Sequence, residues 1–385
     1  MKTFFLLIFL SCSPSILSAQ IVDSATTKLY HQQLFEHIDR INVGDVNSFI
    51  ASFDIERFTE RVFDDITVAS NNLEQFKNGF KRGMKSEMHK ALNEMLTAFD
   101  NYQYVNFSVT DSSFSMLMRG FDDEGLNYYE LIIDYSNKNS LRIIDIYPYY
   151  SGELFSDTIN RIVIILLSET GMLDTTVSGF DTNKQLLSSN VDKMKQMGEM
   201  RRQANHQGMV NLYKSLPEPL KVEKIFIINV LTSAFYVDEM FYLSIIEQYK
   251  NIFPDDPSLP LITLDYYLLR GDIENSYKMI NELDATIGGD NFLNTYRGFV
   301  AEVNEDTTRA IKYYTTAISN DPYIEDAYWS LIEIYLDQEN FKLVTEQLIA
   351  LEEYIGYEFT EQGFEEIDIY AQYIQSSEFK EWIKP

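Results

Sequence analysis

The sequence predicts an α+β N-terminal module, helices packed on a four-stranded antiparallel sheet, followed by an all-α helical-repeat solenoid. Three observations carry that prediction. Pro254, Gly288, Pro322 and Gly356 stand at unbroken intervals of 34 residues, the mark of a repeat array in the C-terminal half. Within residues 102–149 apolar side chains recur with period two, as on strands. On either side the period is three to four, as on helices laid against a core. The organisation that follows is a signal peptide at 1–19, the α+β module at 24–170, a linker at 171–187 and the array with its terminal cap at 188–385.

Lys2, the apolar run 4–10 and the small residues Ser18 and Ala19 have the three parts of a secretory signal peptide, with cleavage expected near Ala19. The only cysteine, Cys12, lies inside it, so the mature chain is expected to have no thiol and to depend on packing alone in an oxidising compartment. The expected location is the bacterial periplasm. The alternative makes Cys12 the lipidated first residue of a lipoprotein, although Phe9 stands where that signal expects Leu. The apolar stretch 225–235 is too short to span a bilayer and predicts a buried helix, so no transmembrane helix is expected in the mature chain.

Carboxylates outnumber cations 59 to 31, for a formal charge of −28. Removing Lys2 takes it to −28 − 1, or −29. Such a surface repels phosphate backbones, so no nucleic acid and no anionic lipid is expected as partner. Two basic stripes stand out: Lys77, Lys81, Arg82 and Lys85 on one predicted helix, and Lys193, Lys195, Arg201 and Arg202 at the start of the array. Each is the pattern of a solvated helix face or of a contact for an acidic surface.

The module opens with a short helix whose apolar face runs through Leu34, Ile38 and Ile41. A longer one carries Leu73, Phe76, Phe80, Met84, Met88, Leu92, Met95 and Phe99, a stripe for core packing. Four strands are expected at 102–109, 113–119, 126–135 and 141–149, then a covering helix through Ile159, Ile162, Val163, Leu166 and Leu167. Both sheet faces are partly apolar, which predicts cover on one side and curvature or partial cover on the other. Alternation offers two linings for a pocket: Tyr128, Glu130 and Arg142 on one face, or Asp145, Tyr147 and Tyr149 on the other. A carboxylate among aromatic rings is a candidate acid or base; Glu130 or Asp134 against Arg142 is equally a routine cross-strand ion pair.

In the array the repeat is clearest at Gly298, Ala310, Tyr314, Ala317 and Pro322, where small residues admit two close helices, Tyr314 fills the seam and Pro322 stops the second helix. Val344, Leu348 and Leu351 hold the matching places one period on, Ser276, Ile280 and Leu283 one period back, and Tyr242, Ile246 and Tyr249 two back. Polar pairs at Gly271 and Asp272, Glu305 and Asp306, and Glu339 and Asn340 mark the turns within each hairpin. Phe359, Phe364, Ile367, Tyr370, Ile374, Phe379 and Trp382 predict a terminal helix covering the last repeat. This spacing resembles the tetratricopeptide repeat over residues 221–357. By order of elements alone, the N-terminal module is similar to the nuclear transport factor 2-like cone, which implies a pocket between sheet and long helix.

No catalytic group is assigned. None of the four histidines, His31, His37, His89 and His206, has an i, i+4 histidine partner for a helical zinc site, no phosphate loop or nucleophile elbow occurs, and Asp122, Asp123 and Glu124 form too short a loop for a calcium hand. No metal and no cofactor is expected. The resemblance implies an exported adaptor or scaffold that binds a protein or peptide in its groove, with Tyr296, Phe299, Tyr328 and Trp329 as partner-binding residues suited to an apolar or basic peptide. The alternative is a small-ligand-binding protein or enzyme whose pocket holds Glu130 or Asp145.

Overall fold

The computed structural model describes residues 24–66, 73–110, 113–122, 125–169 and 190–384. The signal peptide, the linker and the loop residues Asp123 and Glu124 lie outside the described residues.

The module is built as its periodicity dictates. Helix α1, Ser24–Ile41, buries Tyr30, Leu34, Ile38 and Ile41, one residue per turn on one face. Two short helices follow, α2 at Asn47–Ser52 and α3 at Ile55–Val62, the latter opened by Asp54, whose carboxylate accepts from the Glu56 and Arg57 amides. Helix α4, Leu73–Leu96, buries Met88, Leu92, Met95 and Leu96. Strands β1 Asn101–Val109, β2 Phe114–Asp122, β3 Gly125–Ile133 and β4 Ile143–Pro148 form an antiparallel meander in the order β1-β2-β3-β4. Helix α5, Phe155–Glu169, packs beside α3 and β4.

One sheet face carries Phe114, Met116, Met118, Tyr129, Leu131 and Ile146 into a core shared with α1 to α5. The other face carries Leu117, Tyr128 and Tyr149 into a core shared with the array residues Leu264, Met279, Leu283 and Leu293. The sheet is therefore covered on both sides, and the apolar residues on its second face are accounted for by the array rather than by curvature alone.

In the array, helices α6 Val191–Arg202, α7 His206–Lys214 and the short α8 Glu218–Lys221 precede a regular series. Its first helices are α9 Lys224–Val237, α11 Leu259–Leu269, α13 Leu293–Val303 and α15 Glu325–Asp337. Its second helices are α10 Glu239–Ile252, α12 Ile273–Thr286, α14 Thr307–Asn320 and α16 Phe341–Ala350, each starting 34 residues after the last.

The period has a local cause. Asp238, Asp272, Asp306 and Asn340 cap the four second helices, each side chain accepting from the amide three residues on. Before three of these caps the chain turns through a left-handed residue, Gly271 (φ 63), Glu305 (φ 55) or Glu339 (φ 53). The cap amides then return to the carbonyls of Tyr267, Ala301 and Tyr335, satisfying the end of each first helix. The predicted seam residues are all buried, and the Tyr314 ring lies so close to Gly298 that a Cβ there would stand 2.5 Å from it.

The end of the chain corrects the expected single cap helix. Two short helices, α17 Glu361–Glu365 and α18 Ser377–Trp382, flank two 3-10 turns, and the cover is an aromatic cluster of Phe359, Phe364, Tyr370, Tyr373, Phe379 and Trp382. Ile367 is exposed.

Candidate interaction surface

The register of the sheet joins the two expected pocket linings. Glu130 lies opposite Tyr147, and the Tyr149 amide donates to the Tyr128 carbonyl, so Tyr128, Glu130, Tyr147 and Tyr149 share the array-facing side. Their polar atoms are engaged inside the fold. Tyr128 is fully buried, and its hydroxyl donates to Asp290 Oδ2 at 2.8 Å. Glu130 accepts from Ser115 Oγ at 2.6 Å. The Tyr147 hydroxyl meets Ser258 Oγ at 2.9 Å and Asp256 at 3.4 Å. Burial first, and then the nearby Glu130 charge, push the Tyr149 phenol well above its ordinary range.

Asp145 is fully buried at the β4 edge, where it accepts from Arg61 Nε at 2.8 Å, from Ser156 Oγ at 2.5 Å and from the Ile146 and Ser156 amides. Four donors satisfy it as a structural ion. Arg142 is exposed, and Asp134 faces Arg57 at 3.8 Å rather than Arg142. The expected pocket set of Tyr128, Glu130, Arg142, Asp145 and Tyr147 is thus divided among an internal interface, an ion pair and the surface.

That interface rests on residues that sequence reasoning passed over. Arg119, 2% exposed, donates from Nη1 to both oxygens of Asp290 at 2.7 and 2.6 Å and from Nη2 to Gln103, and its guanidinium lies over the Phe292 ring at 4.1 Å. Its Nε is buried without a hydrogen-bond partner. Alongside, Asp256 accepts from Tyr249 at 2.8 Å and pairs with Lys224, which also donates to the Gly152 carbonyl at 2.8 Å. A single cation, Arg119, inside the apolar strand 114–122 was the available signal, because a buried cation requires a partner.

The four expected partner-binding residues also separate. Tyr296 packs among both the sheet-facing core and the C-terminal core. Tyr328 is 3% exposed and donates to the Pro322 carbonyl. Trp329 donates to Glu325 at 2.9 Å and lies under Tyr357 and Phe359. Only Phe299 of the four is open to solvent, at 49%. Tyr328 is thus buried, Tyr296 and Trp329 are half-buried, and Phe299 alone of the four is exposed.

A different open line is present. Phe235, Leu269 and Val303 stand 34 residues apart and are 53%, 49% and 46% exposed. Each lies in the last turn of a first helix, and at or just before the opposite end Lys224, Ser258 or Asp290 meets the module, Lys224 at the Gly152 turn and the other two at the sheet. Eleven residues of α-helix span about 16 Å, the distance between the two ends of α11 and α13; in α9 the module's Tyr150 reaches further along, to the Thr232 hydroxyl. Tyr236 and Met240 extend the line at one end, with His206 stacked on Tyr236 at 4.5 Å, and Phe299 lies one turn before Val303. Exposed carboxylates of Asp238, Glu239, Glu274, Glu305, Asp337 and Glu339 border it. The nearby cations are engaged within the array: Arg309 is 3.5 Å from Asp306, and Arg270 lies over the Tyr266 ring.

Among the described residues, no group of three His, Cys, Asp or Glu side chains is placed to share a metal ion, and no helix is long and apolar enough to cross a membrane. The chain matches no protein-family model, no curated protein and no solved structure.

Proposed function

We propose that the protein is an exported scaffold of the tetratricopeptide type, which uses the free edge of its array to bind an apolar, basic segment of a protein partner. The observation that supports this most is the recurrence of Phe235, Leu269 and Val303 at one structural position in successive hairpins, each open to solvent. Scattered apolar residues on a surface need no explanation, whereas a line of them in repeat register is a feature of the array itself. The acidic border sets the sign of the partner, since a cationic segment is attracted and an anionic one repelled. The N-terminal module, by covering the other ends of the same helices, holds the array in one orientation.

The test is fluorescence anisotropy with labelled peptides of equal apolar content, one set carrying lysines and the other glutamates. Binding of the lysine set alone, weakened about tenfold by Leu269→Asp with Val303→Asp, is expected, since each buried apolar anchor contributes about 1.5 kcal/mol or more. Equal binding of both sets, or binding indifferent to these substitutions, contradicts the proposal.

A further inference from the structure

A groove of about 340 Å³ lies where the module meets the start of the array. Met194, Met197, Ile225 and Phe226 wall it from the array side, and Ile162 and Leu166 from helix α5. Lys195 and Arg201 stand on the same wall, and among the described residues no carboxylate lines the groove, in a chain where carboxylates outnumber cations 59 to 31. Lys195 has only a loose contact at 3.9 Å with the exposed Asp192, and Arg201 makes no ion pair among the described residues. Gly198 also lines the groove, in mid-helix, where a Cβ would meet nothing closer than Arg202 at 3.8 Å. A helix-interior glycine costs roughly 0.5–1 kcal/mol relative to alanine, and here it leaves the groove one side chain deeper.

We infer that this groove binds a free carboxylate-headed hydrocarbon, the chemical class of a fatty acid. The tail lies against the two methionines, whose unbranched side chains adapt to irregular apolar shapes, and the isoleucine and phenylalanine walls. The carboxylate is received by Arg201 and Lys195, a charge-assisted contact at the mouth. A volume of 340 Å³ falls within the range of small-molecule sites, and the exposed Lys195 and Arg201 suit a ligand with one wet end. A neutral or cationic amphiphile leaves the two cations unmatched, and a basic peptide segment of the kind proposed for the array edge is repelled here, so the two surfaces are separate.

The test is titration calorimetry of the full chain with decanoate, with decyltrimethylammonium as the charge-reversed probe. One-to-one binding of decanoate is expected, with little or none of the cation. Lys195→Glu with Arg201→Glu is expected to weaken decanoate about tenfold or more, the scale of charge-assisted hydrogen bonds lost. Lys278→Glu, on helix α12 and not among the groove residues, is expected to leave it unchanged. Gly198→Leu is expected to remove binding while the melting temperature is held or raised, which separates a filled groove from a damaged fold. Four results each overturn the inference: no decanoate binding, equal binding of both probes, binding unaffected by Gly198→Leu, or attachment only to phosphatidylglycerol vesicles in flotation.

Discussion

At the scale of the residue, the array depends on a few positions whose role is set by backbone geometry. Asp306 satisfies the Arg309 amide at the start of α14, so Asp306→Ala is expected to lower unfolding stability by about 1 kcal/mol in denaturant titration. Gly298 admits the Tyr314 ring, and Gly298→Ala places a carbon 2.5 Å from it. That overlap is expected to cost about 1–3 kcal/mol, whereas the same change at Gly198, which faces open space, is expected to stabilise.

His37 gives a pH dependence. Burial, and then the Arg40 charge, hold its imidazole below its ordinary pKa of 6.5, against a smaller opposing effect of Glu36. The unfolded chain then takes up the proton first. The stability due to neutral His37 is full above pH 6.5 and is lost progressively below it, as pH falls through the lower value His37 has in the folded chain. Melting curves between pH 8 and pH 5 are expected to show a fall that His37→Gln reduces; an identical fall in the variant contradicts this assignment.

At the scale of the element, most helices and all four strands were legible, because each buries one face and the burial writes its period into the sequence. Leu34, Ile38 and Ile41, or Ala310, Tyr314 and Ala317, need no tertiary knowledge to be placed on one side of a helix. The turns were legible for a related reason: Asp272, Asp306 and Asn340 cap helices, and capping is a local hydrogen bond. The terminal segment was misread as one helix because its aromatic spacing is compatible with helical period. Its cover comes instead from edge-to-face ring contacts among short turns, such as Phe364 with Tyr370 at 4.9 Å.

The candidate site was less legible. Strand alternation left two linings open, since which strand positions share a face depends on register, and register became known only when Glu130 was paired with Tyr147. Tyr296, Tyr328 and Trp329 were aromatic residues on first helices, like Phe299, and aromatic identity does not distinguish a ring in a seam from one at a surface. Leu269 and Val303 were overlooked because a single exposed aliphatic residue is unremarkable until its equivalents in neighbouring hairpins are seen to be exposed too.

At the scale of the whole molecule, the main finding is that module and array share a core. Arg119 and Asp290 are 171 residues apart in sequence, so neither periodicity nor local capping announces the contact. Its energetics follow from burial. Removing one member of the pair leaves the other charge uncompensated in an apolar interface, at a cost of about 3–5 kcal/mol, while replacing both by apolar residues of similar size is expected to recover much of it. Arg119→Met with Asp290→Leu is therefore expected to melt higher than Asp290→Leu alone. With the sheet docked on one end of the first helices, recognition is left to the other end, and this is why the free edge carries the functional proposal.

The most direct test of that arrangement is scanning calorimetry of the wild type beside Asp290→Ala. A shared core predicts one cooperative transition in the wild type, and in Asp290→Ala a lowered transition that separates into module and array components. Two independent transitions in the wild type, with the module's unmoved by Asp290→Ala, would contradict the account.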